Sequence, residues 1–224
     1  MYSDGTYLTS NPTWHLAESP WKARQCAALL RDLGVTPRSF CDVGCGAGGV
    51  LAALGTIYPR ARLAGFDISE TAIEIARGLH PRISFSVGAV HGEFDVALVM
   101  DVVEHVEDCF GFVRSLRPHA ALALFHFPLE LACLYLLRPV LMNHRRVLGH
   151  IHYFTRATAL ALLEDTGFEI VAHRYTPAVV DFAAGTRRRR LVTHLQRAGF
   201  RIAPDLAVLV LGGYGLMVAA RPSA

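Results

Sequence analysis

The stretch "FCDVGCGAGG", residues 40–49, sets four glycines (Gly44, Gly46, Gly48, Gly49) directly behind a short apolar run and one acid, Asp42. A flexible linker is also rich in glycine, but no strand-like run precedes it. In a strand–loop–helix unit, glycine lets the chain take positive φ and lets backbone N–H groups come close to a ligand. The helix expected next, "GGVLAALGTIY", turns the positive end of its dipole to the same place. The loop satisfies GxGxxG, and the strand-and-helix setting is what gives that short pattern weight.

The rest of the chain repeats the alternation. "RLAGFD" (62–67), "ISFSV" (83–87), "FDVALVM" (94–100) and "AALALFHF" (120–127) read as strands, separated by helical runs such as "SETAIEIARGL" with Ser69 as its cap. "EIVAHRY" and the whole of "LAVLVLGGYGLMVAA" (206–220) read as the last strands, with a helix over about 187–199 between them. The pattern predicts a doubly wound, mostly parallel seven-stranded α/β sheet in one domain, 1–224. Ser19-Pro20 predicts the cap and first turn of a helix in an N-terminal cover, 1–34. Residues 129–154 read as a helical cap inserted after the fifth strand. Its apolar run, 129–137, predicts a helix covered on more than one side. Pro139 should break it and leave Asn143 to Arg146 as a hinge.

Asp67 ends the second strand, 23 residues after Gly44. There a carboxylate can accept from both hydroxyls of a ribose, or simply cap the helix at Ser69; the glycine loop favours ribose. Composition limits the other classes. Of 224 residues, 52% are apolar and 18% charged, so the chain folds, and a net charge of +3 is too small to argue for nucleic acid. Five cysteines with no CxxC pair read as buried free thiols in a reducing, cytoplasmic setting, and no metal is expected. The N-terminus lacks the pattern of a signal peptide. Residues 206–220 and 129–142 are too short and too interrupted to span a bilayer, so no transmembrane segment is expected.

"CDVGCGAG" resembles motif I of the class I S-adenosylmethionine-dependent methyltransferases, and "GFDIS" resembles their second motif. "FDVALVMDVVEHVED" (94–108) is similar to their fourth-strand segment, and "GHIHYFTRATALALLEDTGFEIV" (149–171) to the stretch after the fifth strand of many small-molecule members. "NPTWHLAESPWKA" (11–23) is similar to an N-terminal cover in a subset. The resemblance implies S-adenosylmethionine as cofactor, S-adenosylhomocysteine as product and a small, partly apolar acceptor. It implies that Gly44, Cys45, Gly46 and Gly48 line the methionine part, that Asp42 orients its amino end, and that Asp67 holds the ribose. Ile68, Ala89 and Val90 would hold the adenine, since Ala89 stands where the family often has Asp. Met100, Asp101 and Val102 would border the path to the methyl group. Glu104 and His105 read as supporting or capping residues.

The reaction gains from a base that removes the acceptor's proton. His150 and His126 are the first candidates, His126 because it ends the fifth strand beside the crevice at the strands' carboxyl ends. Trp14, His15, Trp21, Lys22, His152 and Tyr153 would touch the acceptor. A second subunit and a membrane surface stay open as partners for the cap. Two other readings remain: a nicotinamide-dependent oxidoreductase, which lacks a Tyr-x-x-x-Lys pair here, and a cofactor-binding module without turnover.

Overall fold

The computed structural model describes residues 16–177 and 187–223, so Trp14 and His15 lie outside the described residues. Seven strands form one sheet: β1 (Ser39–Val43), β2 (Arg62–Asp67), β3 (Ser84–Val87), β4 (Phe94–Met100), β5 (Ala120–Leu129), β6 (Phe168–Thr176) and β7 (Tyr214–Pro222). Their order is β3-β2-β1-β4-β5-β7-β6, with β7 antiparallel to both its neighbours and the remaining pairs parallel. The strand order reverses between β1 and β4. In sheets of this kind that point opens a crevice at the carboxyl ends of the strands.

All five residues of β1 are buried because helices cover both faces. Alternate residues feed two cores. Cys41, Val43, Ala97 and Val99 face a layer with Phe125, Phe127 and Phe168. Phe40, Leu98 and Met100 face α1 (Ser19–Asp32) and α2 (Gly49–Ile57) through Cys26, Leu30, Leu51 and Leu54. Ser69 caps α3 (Glu70–Leu79) as its sequence predicts, accepting from the Ala72 N–H at 3.3 Å. Ser19 does not cap α1. The helix begins at Ser19 itself, after Glu18, and the hydroxyl lies 2.4 Å from where a Cβ on Gly49 would stand. This close approach of α1 to α2 is what the fourth glycine of the loop permits.

Beyond α4 (Cys109–Ser115), the chain departs from expectation in two places. β5 runs through Leu129, so the cap begins later than expected; Pro139 breaks it as expected, into two short pieces, α5 (Cys133–Leu136) and α6 (Val140–Val147). Neither piece has a buried residue, and Leu136, Leu137, Met142 and Cys133 are exposed. The apolar run is therefore not sandwiched between two layers, and one of the five thiols is not buried. Asn143 to Arg146 lie inside α6 and form no hinge. After α7 (Arg156–Asp165), β6 and α8 (Arg187–Ile202), the run 206–220 is only half strand. Pro204 starts α9 (Pro204–Leu211), and Gly212 and Gly213, at φ 69° and 87°, end it before β7. No helix of the described residues is long and apolar enough to cross a membrane.

Phe85 packs where side chains are missing: a Cβ on Gly65 would stand 2.5 Å from its ring and 2.8 Å from Cys45 Sγ. Gly65→Ala should lower stability by about 1–3 kcal/mol through overpacking. Gly78 sits in α3 with nothing within 4 Å of a Cβ, so Gly78→Ala should raise stability by about 0.5–1 kcal/mol. Urea denaturation of the pair checks both signs.

Candidate active site

The glycine loop turns through three left-handed positions, Gly44 (φ 75°), Gly46 (φ 51°) and Gly48 (φ 79°). The N–H groups of Gly44 and Cys45 both donate to the Phe66 carbonyl, at 2.8 and 3.1 Å. Asp67 braces the loop from the end of β2. Its Oδ2 accepts from Gly46 N–H and its Oδ1 from Ser69 N–H, each at 2.9 Å. The capping role and a ligand-binding role are thus compatible, since each oxygen keeps a lone pair for another donor. Burial raises the Asp67 carboxyl above its ordinary range, with the Ser69 and Gly46 N–H groups opposing it. Packing adds its own demand for glycine: a Cβ at Gly44 would stand 2.6 Å from Val102, and one at Gly48 2.5 Å from Phe85. Cys45 is buried, and burial pushes its thiol up. Ile68, 70% exposed, stands at the rim beside Asp67, with Ala89 exposed and Val90 half-buried after β3.

Asp42, on β1, is 2% exposed, and its Oδ1 has no hydrogen-bond partner among the described residues. Burial pushes its carboxyl up to about 7; Lys22 opposes this and Asp67 adds to it. A buried carboxylate with an orphaned oxygen next to a left-handed glycine loop fits a ligand that brings a donor or a positive group there.

At the end of β4, Asp101 is the only non-glycine residue at positive φ among the described residues, at 60°. Its carboxylate joins three elements. Oδ2 meets Lys22 Nζ of α1 at 2.7 Å, and Oδ1 accepts from His126 Nδ1 of β5 at 2.5 Å. Burial alone would raise its pKa, but His126 and Lys22 hold it well below the usual carboxylate range. The other nitrogen of His126 bonds Thr176 Oγ1 of β6 at 2.7 Å. Both nitrogens of this buried ring, one of the expected bases, are engaged, by Asp101 and by Thr176. Trp21 sets its ring edge-on to His126 at 6.1 Å, and Met100 packs its sulfur 3.8 Å from Cys26 Sγ in the core. Gly215 had no sequence signal beyond a glycine inside a strand. A Cβ there would stand 2.6 Å from His126 Nε2 and 2.7 Å from Thr176 Oγ1, so glycine keeps that bond open.

His150 belongs to a second cluster. Glu130, following β5, accepts from His150 Nδ1 at 2.9 Å and also bonds His144 Nδ1 of α6. The His150 ring lies 4.8 Å from that of His105, and beneath them Glu104 is fully buried with neither oxygen hydrogen-bonded among the described residues. Glu104 therefore caps nothing. His152 and Tyr153 each bond backbone carbonyls. His152 donates to the Val106 carbonyl at 2.8 Å, and the Tyr153 hydroxyl is within reach of the Leu141 and His150 carbonyls at 3.0 and 3.2 Å. They tie segment 149–153 to the turn after β4 and to α6.

A separate depression of about 590 Å³, lined by Ser39, Asp95 and Pro118 among others, lies at the amino ends of the strands and carries none of these groups. Comparison with known proteins decides the family. A family model described as a methyltransferase domain matches residues 18–173. The chain belongs to this family of methyltransferase domains. It is 28% identical over 134 residues to norajmaline N-methyltransferase of Rauvolfia serpentina, a match covering 54% of this chain and 46% of that protein. It is 37% identical over 91 residues to a ubiquinone biosynthesis O-methyltransferase of Methylobacterium sp. (strain 4-46), covering 34% of each. The chain spans less than half the length of these curated relatives. The fold is shared with the plantazolicin methyltransferase BpumL in complex with SAH: TM-score 0.62, 18% identity, covering 100% of this chain and 92% of that one.

Asp42 gives the site a pH signature. Its folded pKa of about 7 lies above the ordinary 3.8, so between those values the folded state holds the extra proton. Its contribution to stability therefore falls as pH rises from about 4 to about 7. Asp42→Asn should remove that part of the slope, gaining on the wild type at pH 8 relative to pH 5 in urea titrations. An equal difference at both pH values would show that Asp42 is ionised throughout.

Proposed function

We propose that the protein transfers a methyl group from S-adenosylmethionine to a small, partly apolar acceptor and releases S-adenosylhomocysteine. The observation that carries this reading is the pair of buried acids, Asp42 and Asp67, flanking a loop of three left-handed glycines where the strand order reverses. When bound, S-adenosylmethionine supplies an electrophilic methyl on a sulfonium. The chain's own residues bind and orient. The orphaned Oδ1 of Asp42 suits the amino group, the remaining lone pairs of Asp67 suit the ribose hydroxyls, and Ile68, Ala89 and Val90 offer an apolar rim to the adenine. Asp101, held by Lys22 and His126, fixes the end of β4 beside the loop through Val102. On the acceptor side, Leu136, Leu137 and Met142 with Arg138, Arg145 and Arg146 support a substrate that is apolar and carries an acidic group. The free cysteines support a reducing compartment such as the cytoplasm.

Titration calorimetry with S-adenosylmethionine, S-adenosylhomocysteine and NAD tests the cofactor. The first two should bind and NAD should not. Asp67→Ala should weaken S-adenosylhomocysteine by about 1–3 kcal/mol, because polar groups of the ligand lose their partner. Binding of NAD alone would replace this reading with the oxidoreductase one.

A further inference from the structure

The cluster around His150 holds more order than a packing role requires. Glu104 sits on the turn Val103–His105 after β4 with its side chain wholly inside the protein. Both its oxygens lack hydrogen bonds among the described residues. A buried carboxylate in that state is costly unless a cation accompanies it. Lys22 is the cation nearest in influence, but its Nζ is committed to Asp101 at 2.7 Å.

Two imidazoles face Glu104 in a set orientation. His105 Nδ1 lies 3.2 Å from the Gly149 carbonyl, which can only accept, so the proton is on Nδ1. That turns Nε2 toward Glu104, 3.9 Å from Oε1. His150 Nδ1 likewise donates to Glu130 Oε2, which leaves Nε2 as its lone-pair nitrogen. An imidazole whose Nδ1–H is held by a carboxylate or a carbonyl, with Nε2 presented, is the orientation of a metal-ligating histidine. One donor atom from each of Glu104, His105 and His150 falls within 4.8 Å of the others. Side-chain rotations of about an ångström would bring such donors to bonds of roughly 2.0–2.2 Å.

We propose that Glu104, His105 and His150 bind one divalent transition-metal ion, with Glu130 and the Gly149 carbonyl orienting the two imidazoles. A second grouping, Glu130 with His144 and His150, is equally compact. It fits an ion less well, because both oxygens of Glu130 are already spent on the two Nδ1 atoms. Two nitrogens and one carboxylate suit zinc and the neighbouring first-row ions, and three protein ligands leave a coordination position open. An ion there would neutralise Glu104 and would lower the pKa of a water or hydroxyl bound to it. The site stands independently of the cofactor reading, since metal binding is measured without cofactor.

The test uses the full chain, stripped with a chelator and titrated with Zn²⁺ by calorimetry and with Co²⁺ by visible absorption. One ion should bind per chain, with the Co²⁺ spectrum of a mixed nitrogen–oxygen site. His105→Ala, His150→Ala and Glu104→Gln should each weaken binding by about 10–100-fold or more. His144→Ala should leave it within a few-fold, since Glu130 still holds His150. Circular dichroism and thermal unfolding of each variant separate a lost ligand from a lost fold, and Glu104→Gln keeps the buried shape if an alanine variant fails to fold. S-adenosylhomocysteine affinity on the same variants should stay unchanged, which keeps failure of the metal site distinct from failure of the cofactor site. The proposal is overturned if the stripped wild type takes up no stoichiometric ion. It is equally overturned if Glu104→Gln binds like the wild type, or if His144→Ala abolishes binding while Glu104→Gln retains it.

Discussion

A half-buried carboxylate held between a lysine and an imidazole organises the carboxyl end of this sheet. Asp101 leaves β4 in a left-handed conformation that a side-chain-bearing residue seldom adopts. It stays there because Lys22 from α1 and His126 from β5 hold its two oxygens, and Thr176 of β6 holds the far side of His126. Each partner alone would be a desolvated polar group, so the chain is stable only when all are assembled. The consequence is geometric. One helix and three strands are fixed to one another at the level of the glycine loop, and strain stored at Asp101 is sustained by contacts spread over 154 residues of sequence, from Lys22 to Thr176.

Much of the sheet was legible in the sequence for a simple reason. Strands covered on both faces need unbroken apolar runs, and "RLAGFD" and "FDVALVM" match β2 and β4 residue for residue. The segment 206–220 misled because its apolar composition suits a buried helix as well as a buried strand. Pro204 and the pair Gly212-Gly213 carried the boundary, and they outweigh hydropathy. The cap was legible in part: Pro139 marks the break between its two pieces, but the cover that its apolar run demanded does not reach Leu136 and Leu137, which stay exposed.

The site divides along the same line. Residues bound to a local motif, such as Asp42, the glycines and Asp67, stand where the motif puts them. Other expected residues are engaged in contacts of their own. His126 has both nitrogens occupied, Met100 is core, and His152 and Tyr153 tie backbone segments together. Glu130 carries no motif in the sequence, yet it bonds His150 and sets its orientation. Glu104 and His150 are 46 residues apart in sequence, with no spacing rule to join them; only the close approach of the 149–152 segment to the turn after β4 does so, through the Glu104 carbonyl accepting from Ile151 and His152.

The placement of β7 carries a kinetic consequence. Its neighbours in the sheet are β5 and β6, and β6 meets no other strand. β6 precedes β7 by nearly forty residues, so when β6 is synthesised its hydrogen-bonding edge has nothing to pair with. The sheet can grow from β3 to β5 as the chain emerges, but Thr176 cannot be brought to His126 until β7 has slipped between them. Closing so long a loop before its contacts form is slow. The glycine loop can therefore mature early in assembly, while the bracket around Asp101 is completed in the final step.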